Sequence, residues 1–260
     1  MAKRKVPDTR FPDTVAVTYN RAIKKMVNEL GKETLLLFDQ YIAPGIVVDR
    51  QDGQEYLVDG QFDNINKMLR SLKNKASKVF STTQIENAVR RFLKTLNNFN
   101  KNNISQQAKV VGINPTQSEP WLKTFMEEKI EDNVGYITKI QEDYLNEVEE
   151  IVQEGIKKGS EAKQIRKQLV ERIGMTERRA QFIAVDQTGS ILGQMTAKRH
   201  QEMGVLKFKW RTSKDERVRE SHRDLSNKVF SYDNPPTVNG RKVIPGEDYH
   251  CRCVAIPIFY

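Results

Sequence analysis

Apolar residues recur at spacings of three and four through most of the first two hundred positions, the pattern of amphipathic helices. Asp13 can cap a segment in which Val15, Tyr19, Ala22, Ile23, Met26, Val27 and Leu30 share one face. Gly31 predicts an interruption, after which residues 33–42 continue as far as Pro44. Residues 46–60 read as a short hairpin or an irregular excursion. Helical periodicity resumes over 62–80 and, after Ser81 and Thr82, over 83–96. The asparagine-rich run 97–103 predicts a polar break, followed by a short helix from Ser105 to near Gly112. Ser118 then caps 119–131, and an acidic amphipathic segment spans 136–158 and stops at Gly159. A short helix over 160–173 closes at Gly174, and Thr176 caps a last one over 177–203, ended by Gly204. Apolar stripes of this kind are read as helix-packing faces.

At Gly204 the period changes from helix to strand. Residues 205–211 alternate apolar and basic side chains, so Phe208 and Trp210 are expected in a core and Lys207, Lys209 and Arg211 in solvent. The competing reading of this strand is a basic and aromatic face for single-stranded nucleic acid. Residues 229–230, 242–244 and 253–259 are further strand candidates. They are separated by turns at Asp233-Asn234-Pro235-Pro236, Asn239-Gly240 and Pro245-Gly246. The expected fold class is therefore α+β: a mainly helical N-terminal body followed by a small β-rich C-terminal module. The division drawn is a mobile basic arm over 1–12, a helical body over 13–175, and a module over 176–260. That module comprises a connecting helix, 176–204, and a β-rich part, 205–260.

Composition sharpens this picture in one respect. The 260 residues carry a net charge of +9, unevenly spread. Residues 1–110 hold 19 basic and 11 acidic side chains, 111–160 hold 5 and 11, and 161–260 hold 19 and 12. Both ends attract polyanions and the middle repels them, an attraction that carries no sequence preference. No apolar run approaches the ~20 residues needed to cross a bilayer, so no membrane partner is expected.

The two cysteines stand one residue apart, as Cys251-Arg252-Cys253, a spacing that closes almost no loop and suits a disulfide poorly. Reduced thiols fit better, and with His222 they form a set of soft and borderline donors suited to zinc. His250 could complete four ligands, with Asp215, Asp224 or Asp248 as oxygen substitutes. The alternative is that the thiols are small buried apolar groups and His222 is satisfied by a carboxylate. Arg217 and Arg219 either pair with carboxylates or contact phosphates. His200, following Lys198-Arg199, is expected to face solvent. No HExxH, Walker-type glycine loop or GxSxG occurs, and no catalytic residue is assigned.

One ordered set of landmarks is specific. It begins with residues 183–189 (Ile-Ala-Val-Asp-Gln-Thr-Gly), Gln194 and Arg199, and continues with Trp210-Arg211-Thr212, residues 215–219 and Ser221-His222-Arg223. Val229-Phe230, Pro235-Pro236, Pro245-Gly246-Glu247-Asp248 and Cys251-Arg252-Cys253 complete it. Over roughly 176–258 the chain resembles the phage Mu F-like family of head morphogenesis, or minor head, proteins. The resemblance implies a minor capsid protein of a tailed bacteriophage, present in few copies in the virion and assembled in the host cytoplasm. It implies contact with the portal protein and the major capsid protein, at the portal vertex or capsid interior. A role in DNA packaging or delivery follows, with double-stranded DNA bound non-specifically. His222 and the Cys-Arg-Cys unit fall at motif positions, and Trp210, Asp215, Pro245 and Gly246 are expected to shape the module. The rival functions are a metal-dependent nuclease and a soluble DNA-binding adaptor.

Overall fold

The structure, a computed structural model, describes residues 6–48, 55–57, 60–115 and 118–259. It is α+β, with helices first and a small antiparallel sheet near the C-terminus. In chain order the elements are α1 (Asp13–Tyr41), β1 (Ile46–Val48), β2 (Glu55–Leu57), α2 (Gln61–Val79), α3 (Thr82–Val110), α4 (Pro120–Lys157) and α5 (Ala162–Glu202). Then come β3 (Lys207–Arg211), α6 (Glu220–Arg223), β4 (Val229–Ser231), β5 (Thr237–Val238), β6 (Arg241–Lys242) and β7 (Val254–Ile258). None of the described helices is long and apolar enough to cross a membrane.

Two compact units are present. One comprises Arg21–Ala88 and Val134–Gln181. Its core includes Ile23, Leu30, Phe38, Met68, Leu72, Ile137, Val148, Ile165 and Leu169, all buried, as the helical periodicity requires. Tyr144 donates to Thr34 at 2.8 Å within that core, and β1 and β2 pair antiparallel, the first of the two readings of 46–60; residues 49–54 lie outside the described residues.

The other unit comprises Met1–Asn20, Val89–Asn133 and Phe182–Tyr260. Its sheet has the order β4-β3-β7, fully antiparallel, with Phe208 opposite Phe230 and Trp210 opposite Ala255. Phe208 and Trp210 are fully buried and pack with Val205, Tyr232, Val243, Cys251 and Cys253, while Lys207 on the other face is exposed. This is the strand alternation expected of 205–211. The β5–β6 ladder, whose first strand was not anticipated, turns on Asn239 and Gly240, both with positive φ.

The helices are longer and fewer than the periodicity predicts. Gly31 does not interrupt α1; the side chain of Ile173 packs against its bare Cα. Gly174 and Thr176 lie inside α5, where the Thr176 hydroxyl donates to the Arg172 carbonyl at 3.0 Å instead of capping a new helix. The boundary drawn between 175 and 176 therefore falls within one helix. The polar run 97–103 is interior to α3. Asn100 is fully buried, donating to Thr196 Oγ1 at 2.7 Å and accepting from Arg199 Nη1 at 2.6 Å. Asn97 accepts from the same guanidinium at 2.6 Å, and Glu119 takes its Nε and Nη2 at 2.6 and 3.0 Å. These asparagines satisfy a buried arginine, so their polarity marks an internal network and not a break.

His200 is likewise buried, against expectation. Its ring nitrogens meet Tyr232 Oη at 2.6 Å and Gln107 Oε1 at 3.2 Å. Gln107 in turn donates to Thr9 Oγ1 and to the Pro7 carbonyl. Thr9 is buried and bonds the Ala255 carbonyl, and Asp8 pairs with Arg211 at 3.0 Å. Residues 6–12 are thus tied to the sheet rather than free as an arm; residues 1–5 lie outside the described residues.

Candidate metal centre

Three pieces of backbone bring the donors together. β3 carries Trp210, the single turn of α6 carries His222, and the loop leading into β7 carries Asp248, Cys251 and Cys253. That loop can approach α5 closely because two residues on one face of the helix, Gly189 and Gly193, lack side chains. A Cβ at Gly193 would sit 2.3 Å from the Pro245 carbonyl oxygen, and one at Gly189 would sit 2.2 Å from that of Cys251. Gly246 meets the helix with φ 101, a conformation that favours glycine. Pro245 and Gly246 are both buried. Asp186 on α5 completes the fastening by accepting the His250 backbone N–H at 2.6 Å.

His222 Nδ1 lies 3.5 Å from Cys251 Sγ and 3.5 Å from Cys253 Sγ. Among the described residues these three form the only His, Cys, Asp and Glu group compact enough to hold a metal, and all are buried. The other ring nitrogen, Nε2, donates to Asp248 Oδ2 at 3.0 Å. Asp248 is itself buried and accepts from Arg219 Nη2 at 2.8 Å and Arg241 Nη2 at 3.1 Å. A carboxylate behind a histidine fixes the tautomer and turns the free lone pair toward the other donors. Trp210 packs edge-on to the His222 ring at 5.5 Å.

Electrostatics favour a charged sulfur here. The hydrogen bond from Cys253, and then the His222 ring, draw the Cys251 thiol down to about 5 against the effect of burial. The same contact, with burial, pushes Cys253 well above the ordinary thiol range. Burial disfavours the His222 imidazolium, but its bond to Cys251 and the attraction between them outweigh that, so its pKa is raised. The Trp210 indole nitrogen is buried with no partner at hydrogen-bond distance, yet lies near enough to Cys253 to favour its thiolate. An orphaned donor beside two thiols and an imidazole nitrogen suits a thiolate-bound cation such as zinc, and the donor set fits that metal.

The remaining site expectations divide cleanly. His250 does not join the donors: with φ 53 it stacks on Phe182 at 4.9 Å and is exposed. Asp215 is not an oxygen ligand but a clasp, accepting from Arg252 Nη2 at 2.6–2.7 Å and from the Arg217 backbone at 3.2 Å. Burial would raise its pKa, but Arg252 outweighs that and holds the carboxylate below its usual range. Asp248 acts behind His222 rather than in place of it. Arg217 and Arg219 both pair with carboxylates, and Arg217 keeps most of its side chain in solvent. Lys207, Lys209 and Arg211 lie on β3 and are not among the residues lining the pocket over the cluster. The role of Gly189 and Gly193 was not anticipated, although their spacing of four on a predicted helix was the available signal.

Residues 146–256 match the family described as Phage Mu protein F like protein. A Haemophilus influenzae protein (strain KW20 / Rd), itself described as uncharacterized, is 33% identical over 263 residues. The alignment covers 95% of this chain and 58% of that relative, so the chain spans a little over half its length. No solved structure matches. Residues 146–256 hold every side chain of the His222–Cys251–Cys253 cluster, and over this segment the chain is similar to the Phage Mu protein F like family.

Proposed function

We propose that this protein is a minor head component of a tailed bacteriophage and acts in head morphogenesis. The observation that carries the reading is the family match over 146–256, a segment that includes all three residues of the buried His222–Cys251–Cys253 cluster. In this reading the helices dock on the portal protein or the inner face of the major capsid protein. The basic ends of the chain lie near packaged double-stranded DNA, which they engage without sequence preference during packaging or delivery. Lys207, Lys209, Arg211, Arg217 and Arg219 are the candidate phosphate contacts. The protein resides in the virion, at the portal vertex or capsid interior, after assembly in the host cytoplasm.

The metal belongs to this proposal as a staple. His222 Nδ1 and the sulfurs of Cys251 and Cys253 would hold zinc, which when bound cross-links α6 to the loop before β7. Asp248 orients the ring, Arg219 and Arg241 neutralise Asp248, and Trp210 covers one side of the donors.

The test is to purify particles and locate the protein in them by mass spectrometry and electron microscopy. Its presence at the portal vertex or inner shell is expected, and absence from purified particles overturns the assignment. A rival nuclease reading draws on the donor cluster opening into a pocket. Plasmid nicking that needs metal and disappears in His222→Ala would replace the structural role with that one.

A further inference from the structure

The three donors form the floor of a pocket of about 230 Å³ whose walls include Ser213, Arg217, Arg219, Tyr249 and Arg252. No carboxylate is among its lining residues; Asp248 and Asp215 pair with Arg219 and Arg252, respectively. Arg252 is thereby fixed, with only 12% of its side chain exposed, while Arg217, at 66%, is held by a single long contact of 3.5 Å. Each guanidinium carries five N–H donors, so pairing with one carboxylate leaves others available. Tyr249 stands 63% exposed at the rim with the Arg241 guanidinium 4.8 Å from its ring centre.

Three protein donors leave a tetrahedral metal one position short, and a site of that kind takes its last ligand from solvent or from a bound group. We propose that this pocket is a phosphate-binding site, in which a nucleic-acid phosphate is gripped by Arg217, Arg219 and Arg252 and faces the His222–Cys251–Cys253 centre. The inference rests on the metal reading above. Three guanidinium groups around one small pocket match the several acceptor oxygens of a phosphate better than the two of a carboxylate. The exposed tyrosine at the rim offers a face on which an adjoining base can stack.

The experiment loads the full chain with cobalt, whose visible spectrum reports its ligands. The cobalt protein is then titrated separately with inorganic phosphate, a short single-stranded oligonucleotide and acetate. Phosphate and the oligonucleotide should move the cobalt bands, acetate should not, and the oligonucleotide response should weaken as salt rises. Arg217→Ala should weaken the phosphate response at least about tenfold, the loss of one charge-assisted contact. Arg223→Ala, a neighbouring arginine outside the pocket, should leave it intact. Cobalt that binds but ignores phosphate, or answers acetate equally, overturns the phosphate site and leaves the metal reading standing. Failure to bind cobalt removes both.

Discussion

Asp248 accepts a hydrogen bond from His222 Nε2 at 3.0 Å, and both residues are buried. The bond settles which ring nitrogen carries the proton and leaves Nδ1 aimed at the two sulfurs. Asp248→Asn keeps the shape of the carboxylate but removes the charge that Arg219 and Arg241 balance. Zinc affinity, measured by competition with a chromophoric chelator, should fall about 10- to 100-fold. An unchanged affinity would show that the ring is positioned by packing alone. In the unsubstituted protein, stripping the metal should lower the melting temperature, because binding stabilises only the folded chain.

The same substitution should have opposite effects at two glycines. Gly193→Ala places a methyl group 2.3 Å from the Pro245 carbonyl oxygen, a backbone atom that cannot rotate away. A loss of about 1–3 kcal/mol or more is expected in urea unfolding. Gly135→Ala sits on an exposed stretch of α4 with nothing within 4 Å and should gain about 0.5–1 kcal/mol. Equal effects at both sites would contradict the close approach of loop and helix.

Arg199 is expected to be costly to remove. Truncation to Met leaves the oxygens of Glu119, Asn97 and Asn100 without their donor in a buried setting. The expected destabilisation is about 3–5 kcal/mol. Adding Glu119→Gln to that variant should recover part of it, since the uncompensated charge is then gone. A double mutant no more stable than the single one would argue that packing, not charge, is lost.

His200 predicts acid sensitivity. Burial lowers its pKa from the ordinary 6.5 to about 3, so between those values the unfolded chain takes up a proton that the folded one refuses. Stability should therefore be full above about pH 6.5 and decline as pH falls toward 3, by several kcal/mol in all. His200→Gln removes the titrating group. Its stability should vary less between pH 7 and 4 than that of the parent, and identical slopes would place the acid-labile group elsewhere.

Where the sequence could be read correctly, one dominant force fixes the outcome. Alternation in 205–211 puts Phe208 and Trp210 in the core because a pleated strand has only two faces. Cys251, Cys253 and His222 bring their donor atoms within 4.8 Å of one another. Misreadings came where polarity was satisfied inside the molecule. Asn97, Asn100 and Thr176 resemble a break and a cap because those residue types so often serve there, yet Asn97 and Asn100 bond inward to Arg199 on distant chain and Thr176 donates to the Arg172 carbonyl of its own helix. His200 follows Lys198-Arg199 and reads as surface, although Tyr232 and Gln107 enclose it. His250 adjoins Cys251 in sequence, but a left-handed backbone turns it onto Phe182. Apart from Arg172, none of these partners is near in the chain, so no local pattern could announce them.

The bond from Thr9 to Ala255 joins positions 246 residues apart. During synthesis, the segment around Thr9 must wait until strand β7 has emerged before this contact can form. Until then Phe208 and Trp210 lack one sheet neighbour, and Thr9 and Gln107 lack part of their network. Nascent chains halted before residue 255 should therefore be prone to capture by chaperones, and this unit is poorly suited to folding in step with translation.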